Sequence, residues 1–203
     1  MNKKSELIGR WGALAIIVAL ASIVFFVPSL TAAERRQVPF VGMSIVYYGV
    51  DWNGNTEIRT ISVLRYDAAN NHVIIRDSQD VFDVMEVDLG TREVESHTGW
   101  GSFDPFYVEY WIPTDVKIGS QVGILNYDAV VIGSTKMCVD GRVIDVWQLQ
   151  ASGQNDDGLW QDNWYYDKKT GLWVAAAWIV WDIEGVVISN WGGHLVSTNA
   201  VLG

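Results

Sequence analysis

The chain has 203 residues, of which 49% are hydrophobic, with a formal net charge of −10 and a single cysteine. One cysteine excludes an internal disulfide, so the folded part must be stabilised by packing alone. Past residue 33 the chain keeps 11 basic and 23 acidic residues, a formal charge of −12. Such a surface repels phosphate groups, which excludes nucleic acid and peripheral lipid adsorption as the basis of its function.

The first predicted element is an apolar helix at residues 11–30 (WGALAIIVALASIVFFVPSL), which contain no ionisable side chain. A helix of this length rises about 30 Å, the thickness of the hydrocarbon core of a bilayer. Lys3, Lys4 and Arg10 precede it, and positive charges favour the cytoplasmic side. These features predict a signal anchor, a single-pass transmembrane helix with its N-terminus in the cytoplasm.

Two other interpretations of this segment remain open. Thr31 and Ala33 are small residues spaced as a signal peptidase requires, so a cleaved signal peptide is an alternative, and a buried soluble helix is a third. The apolar run exceeds the usual core of a cleaved signal, which favours the anchor. We therefore predict a cytoplasmic stub and anchor over residues 1–33 and one extracytoplasmic domain over residues 34–203, held at the cell membrane.

Beyond residue 40 the sequence predicts strands separated by turns, with no long helix. Asn53-Gly54 and Asp140-Gly141 are hairpin dipeptides, because these residues tolerate positive φ. Residues 153–158 are predicted to be a polar loop and 192–203 a loosely held tail. The fold class is therefore mainly β: an antiparallel curved sheet, a sandwich or an open barrel. The predicted strands are 41–50, 56–66, 72–76, 81–87, 92–96, 106–112, 116–118, 121–125, 127–139, 142–151, 159–167, 172–181 and 186–191.

The predicted strand at 172–181 is apolar on both faces. Simple alternation places Trp173 and Trp181 on one face and Trp178 on the other. Such a strand is either the central strand of a two-layer core or a strand on which a ligand or partner lies. On the second interpretation, these three tryptophans are the predicted ligand- or partner-binding residues.

The hairpin sequence WYYDKKTGLWV at 164–174 carries a resemblance. It resembles the YYDxxTGLLV hairpin of exported β-rich proteins that are similar to the lipoprotein-carrier superfamily and to uncharacterised archaeal surface proteins. The similarity covers roughly residues 111–188. The resemblance implies a curved antiparallel sheet whose concave side holds an acyl chain or another apolar ligand. Unlike the carriers, this chain begins with a long hydrophobic segment.

Residues with catalytic or metal-binding chemistry are sparse. His72, His97 and His194 are far apart and outside any H-x-x-x-H spacing, and no Gly-x-Ser-x-Gly sequence occurs. The sequence therefore predicts no catalytic residue, no transition-metal site and no cofactor. Cys138 lies in a predicted strand and is expected to be a buried structural thiol.

Two acidic loops are weak candidates for calcium. Residues 51–57 present oxygen atoms at alternate positions, but their glycine is fourth, where an EF-hand loop has it sixth. The second group contains Asp156, Asp157 and Asp162. Solvated turns are the default interpretation of both.

Three functional classes follow from these features. The first is a non-catalytic, membrane-anchored extracytoplasmic domain that binds an apolar or lipid-like ligand, favoured by the tryptophans and the hairpin resemblance. The second is a structural or accessory subunit of a membrane or cell-surface assembly whose partner is another protein chain, favoured by the anchor and by strands apolar on both faces. An extracytoplasmic enzyme is the third, and no nucleophile or metal set supports it.

Overall fold

The computed structural model describes residues 38–50, 53–78, 83–98, 106–156 and 158–203. The predicted signal anchor lies outside these ranges and stays a prediction. The described residues form eleven strands, and no helix among them is long and apolar enough to cross a membrane. The strands are β1 Ser44–Val50, β2 Thr56–Asp67, β3 His72–Asp77, β4 Val84–Asp88, β5 Val94–His97, β6 Gln121–Ile124, β7 Tyr127–Val139, β8 Arg142–Asn155, β9 Gly158–Asp167, β10 Trp173–Trp181 and β11 Val187–Thr198.

All eleven strands belong to one antiparallel sheet with the order β5-β4-β3-β2-β1-β11-β10-β9-β8-β7-β6. Strands β1 to β5 form one meander and β6 to β11 form a second, as short turns between neighbouring strands allow. Strand β11 joins the two, because it pairs with β10 on one side and β1 on the other. The prediction of a mainly β fold with one antiparallel sheet is confirmed.

The sheet is rolled, because Tyr107 forms bridges to both of its edges. It pairs with Glu93, next to β5, and with Leu125, next to β6. In a flat sheet of this order those edges would lie about 48 Å apart, at the usual spacing between strands. Within the described residues β5 and β6 do not pair with each other, so the sheet is rolled but not closed. One face of it therefore lies inside the roll, and we refer to it as the inner face.

Residues 106–112, here called the inner segment, run between the two edges. Trp111 forms a bridge with Leu172, and the buried guanidinium of Arg92 donates to the carbonyl oxygens of Val108 and Trp111 at 3.3 and 2.8 Å. The sequence predicts a strand here, which is wrong. The backbone of the segment pairs only at isolated bridges, and the Arg92 side chain binds two of its carbonyl groups.

The buried core draws on both meanders and on the inner segment. Alternation along the strands sends every second side chain to the inner face, which explains why β1 buries Ile45 and Tyr47. The largest fully buried side chains are Trp164, Tyr47, Tyr166, Met43, Ile45, Ile61, Ile75, Met85, Ile124, Ile144, Leu149 and Leu172.

The predicted loose tail at 192–203 is wrong. Most of it belongs to β11, which is a central strand paired on both sides. Two adjacent glycines, Gly192 and Gly193, weaken the strand signal in the sequence. After the strand, the side chain of Asn199 donates to the carbonyl of Gly42 at 2.8 Å and accepts from the amide of Ser44 at 2.9 Å. These two bonds fasten the C-terminal end to the start of β1.

Other departures from the predicted elements are local. No strand forms at 116–118, where the amide of Ser120 donates to the carbonyl of Lys117 at 2.8 Å and closes a turn. Strand β8 extends to Asn155, so the first half of the predicted loop at 153–158 is strand. The hairpins predicted at Asn53-Gly54 and Asp140-Gly141 are confirmed by the pairing of β1 with β2 and of β7 with β8.

Cys138 is exposed, contrary to the expectation of a buried thiol. It pairs in register with Val143 of β8, whose side chain is also exposed. Both residues therefore point to the outer face of the sheet, where neither is covered.

Candidate functional site

A cavity of about 280 Å³ opens on the inner face where β1, β11 and the inner segment approach one another. We call it the inner cavity. Its wall combines aromatic rings with two carboxylates and a guanidinium, and part of its wall is bare backbone. The lining residues are Tyr47, Tyr48, Gly49, Val50, Glu57, Arg59, Glu109, Trp173, Trp191, Gly192 and Gly193.

Glycines on the inner face create the space. Gly49 of β1 and Gly193 of β11 are register partners, and Ala176 of β10 continues the same row. A Cβ atom at Gly49 would lie 3.7 Å from the Glu57 side chain, which is ordinary van der Waals contact. A larger residue at one of these positions would extend its side chain into the cavity, so the small residues leave it open.

Tyr47 and Trp173 form the aromatic wall beside the glycines. Their ring centroids are 4.2 Å apart at an interplanar angle of 39°, and the Tyr47 hydroxyl donates to the Trp173 carbonyl oxygen at 3.2 Å. Trp173 is 4% exposed, whereas Trp191, on the other side of the cavity, is half-buried. The deep wall is therefore shielded from solvent, and the wall at Trp191 is partly open to it.

A charged cluster lies next to these rings. The guanidinium of Arg59 donates to Asp77 Oδ2 from Nε at 2.8 Å, to Glu109 Oε1 from Nη1 at 2.7 Å and to the Tyr110 hydroxyl from Nη2 at 2.6 Å. Tyr110 in turn donates to Asp77 Oδ2 at 2.7 Å. One cation thus faces two carboxylates, and Glu109 and Asp77 are both buried. The inner segment supplies Glu109 and Tyr110, which explains why the cluster exists only in the rolled fold.

The charge of Glu109 affects the other ionisable groups around it. Burial, and secondly the Glu109 carboxylate, raise the pKa of Tyr47 and Tyr166 well above the ordinary value. The same two causes raise the pKa of Asp162 to about 8. Burial alone would lower the pKa of Arg59, but Tyr110, Glu109 and Asp77 reverse this effect and hold it above the ordinary value. Arg59 is therefore charged, and it pairs with the buried carboxylates of Asp77 and Glu109.

The structure separates the three predicted tryptophans. Trp173 lies in the deep wall of the inner cavity. Trp178 is a half-buried register partner of Asp162 and Trp191, so it lies on the same inner face but outside the cavity lining. Trp181 pairs with exposed Leu159 and lies on the outer face.

The facing predicted by simple alternation is therefore wrong. The register of β10 against β9 shifts between Trp173 and Ala175, which makes Val174 an extra residue. A bulge of this kind reverses the facing of every following residue. Trp173 and Trp178 consequently share the inner face, and Trp181 lies opposite.

The calcium candidates do not come together. Asp162 lies on the inner face in register with Ala151 and is 2% exposed, whereas Asp156 is exposed in the turn after β8. Asp157 lies outside the described residues. Among the described residues no group of three or more His, Cys, Asp or Glu side chains is arranged to hold a metal ion. The pKa of about 8 that burial gives Asp162 disfavours the ionised carboxylate that a cation ligand requires.

Sequence reasoning missed Arg59, Asp77 and Glu109. Two signals were present in the sequence: Glu109 interrupts an apolar stretch (FYVEYWI), and Asp77 directly follows the predicted strand at 72–76. A buried acid requires a partner, and this requirement could have directed attention to both residues. It could not have paired them with Arg59, which is distant in the chain.

Comparison with known proteins finds no matching family model and no matching curated protein. Among solved structures, MucB in complex with MucA(peri) aligns at 16% identity and a TM-score of 0.36, covering 77% of this chain and 49% of that chain. The hypothetical lipoprotein YmcC from Escherichia coli (K12) aligns at 14% identity and a TM-score of 0.36, covering 79% of this chain and 89% of that chain. This chain thus spans about half the length of MucB. Both likenesses are distant and carry no argument about a ligand or partner.

Proposed function

We propose that this protein is a non-catalytic binding domain that holds an apolar, lipid-like ligand in the inner cavity, on the extracytoplasmic side of a membrane to which residues 11–30 anchor it. The observation that supports this most is the cavity itself. It lies on the inner face, next to buried aromatic rings, and glycines leave it open. Apolar cavities with a few polar groups are typical of small-molecule sites.

Filling the cavity tests this proposal. Gly49→Leu should abolish binding of a fluorescent fatty acyl probe, because the new side chain would occupy the space next to Tyr47. The substitution needs no unusual backbone, and a Cβ at Gly49 makes only ordinary contacts. Gly133→Leu on β7 is the matched control, since its Cβ would meet no atom within 4 Å.

The outcomes separate clearly. Binding lost in Gly49→Leu and retained in Gly133→Leu, with both variants folded by circular dichroism, supports the proposal. Equal binding by the two variants would place the probe elsewhere and overturn it, as would no binding by the unmodified protein.

The anchor has its own test. The full-length protein should remain in the membrane fraction after alkaline carbonate washing, because an apolar helix of this length is not extracted with peripheral proteins. N-terminal sequencing of the mature protein that begins at Glu34 would instead show a cleaved signal peptide and a secreted domain.

A second function, an accessory subunit that binds another protein chain, is favoured by the hairpin between β10 and β11. Ile183 at its tip is 90% exposed, and Val186, Val187 and Ile188 next to it are exposed as well. Exposed apolar residues grouped in this way are typical of interaction sites. Ile183→Ser should then shift the protein from a larger membrane complex to its free size on native gels, while acyl-probe binding stays unchanged.

A further inference from the structure

We infer that the inner cavity selects ligands that carry a positive charge on an apolar body, such as an alkylammonium group. This inference rests on the proposed function and specifies the chemistry of its ligand. It follows from three features of the wall: an excess of carboxylates, a guanidinium with four of its five N–H donors already used, and aromatic rings next to the acids.

The carboxylates outnumber the cations at the cavity. Glu57 and Glu109 both line it, and Arg59 is its one basic lining residue among the described residues. Arg59 also binds Asp77, which neutralises its charge from behind the wall. A bound cation would therefore balance the charge of this site, whereas an anion would add to the excess of negative charge.

Arg59 is unsuited to recognise an anionic headgroup. Four of its five N–H groups donate to Asp77, Glu109 or Tyr110 within the protein. A ligand carboxylate or phosphate that binds through two N–H groups would have to displace one of these partners, and displacing Asp77 or Glu109 leaves a buried carboxylate without its donor, which is costly. Glu109, in contrast, receives from the described residues one side-chain donor, Arg59 to its Oε1.

The aromatic rings strengthen the preference for a cation. Tyr47, Trp173 and Trp191 line the cavity together with the two glutamates. The face of an aromatic ring attracts cations, most strongly where water is excluded. The effect of Glu109 on neighbouring groups agrees with this, because its charge helps to raise the pKa of Tyr47 and Asp162.

Three probes of equal chain length test the inference: the octyltrimethylammonium ion, 1-octanol and the octyl sulfate ion. Each is titrated calorimetrically into the full-length protein reconstituted in nanodiscs, with empty nanodiscs as the blank, below its aggregation concentration and at physiological ionic strength. Salt at this level screens the diffuse attraction of the acidic surface but not contacts inside the cavity. We expect the cation to bind about tenfold more tightly than the alcohol, and the anion to bind most weakly.

Two variants locate the preference. Glu109→Gln keeps an oxygen acceptor for Arg59 and removes the charge, so it should abolish most of the cation preference while octanol binding persists. Glu57→Gln removes a carboxylate charge at the exposed rim without disturbing a buried group. It should therefore reduce the preference for the cation only in part. Glu184→Gln, at the exposed hairpin tip, removes the same charge away from the cavity and should leave the preference intact.

The possible results distinguish this inference from the proposed function. Equal binding of cation and alcohol, or tightest binding of the anion, overturns the inference while leaving an apolar binding site in place. The inference is also overturned if Glu184→Gln lowers the cation preference as much as Glu109→Gln and Glu57→Gln do. The preference would then come from the overall negative charge of the protein and not from the cavity. Failure of all three probes to bind overturns both the inference and the proposed function.

Discussion

The two ends of the inner face contain the same residue types but are packed very differently. At one end Trp164, Tyr166 and Trp173 are almost completely buried, and the inner segment is hydrogen-bonded to Tyr166 and Trp173. At the other end Trp178 and Trp191 are register partners on the same face and remain half-buried. On one face of the sheet, the same type of ring is therefore core at one end and partly accessible at the other.

We refer to these regions as the sealed end and the open end. The inner cavity lies where they meet, with Trp173 on the sealed side and Trp191 on the open side. The cavity thus has a buried ring on one side and a partly exposed ring on the other. The following experiments test this difference, from the largest expected effect to the smallest.

Ending the chain after Trp191 should prevent folding. The deletion removes most of β11, and with it the pairing of both meanders and the buried Leu195. Thermal melting followed by circular dichroism should lose its cooperative transition. A truncated chain that still melts cooperatively near the temperature of the intact domain would show that β11 does not hold the two ends together.

Trp173→Ala should lower the free energy of unfolding by about 3 to 5 kcal/mol, because it empties a buried site. Trp178→Ala at the open end should cost about 1 kcal/mol, since its side chain already contacts water. Urea titrations of the two variants give both values. Similar losses of unfolding free energy for the two variants would contradict the distinction between the ends and show that Trp178 is a core residue.

Arg59→Met should cost about 3 to 5 kcal/mol of unfolding free energy, because it leaves Asp77 and Glu109 buried without their cation. The matched control is Lys136→Met, which breaks the exposed pair with Asp145 at 3.0 Å. An exposed pair is worth less than about 1 kcal/mol. Equal effects in urea titrations would mean that water reaches the cluster freely, and that the sealed end extends less far than the structure indicates.

Asp162 should make stability depend on pH. Its pKa is about 8 in the folded protein and near 3.8 in the unfolded chain, so the folded state binds the extra proton between these values. Stability therefore falls as pH rises from about 4 to 8, by at most about 1.4 kcal/mol per pH unit from this group. Asp162→Asn should flatten that slope in melting curves recorded at several pH values. An unchanged slope would show that Asp162 is ionised in the fold.

The sequence by itself determined much of the local structure. Alternating apolar residues and hairpin dipeptides predicted most strands within a few residues, because strand period and turn chemistry depend on neighbours in the chain. It also predicted the strand that carries Trp173, one wall of the cavity. The apolar segment at 11–30 stays a prediction about the membrane.

Tertiary structure alone decided which residues meet. The Val174 bulge placed Trp173 and Trp178 on one face, and pairing on both sides made a central strand of the glycine-containing β11. Rolling the sheet brought Arg59 to Glu109, 50 positions apart in the chain. Such contacts depend on register and on the path of the inner segment. Both are fixed only when the whole sheet forms, since no local preference of a residue specifies its distant partners.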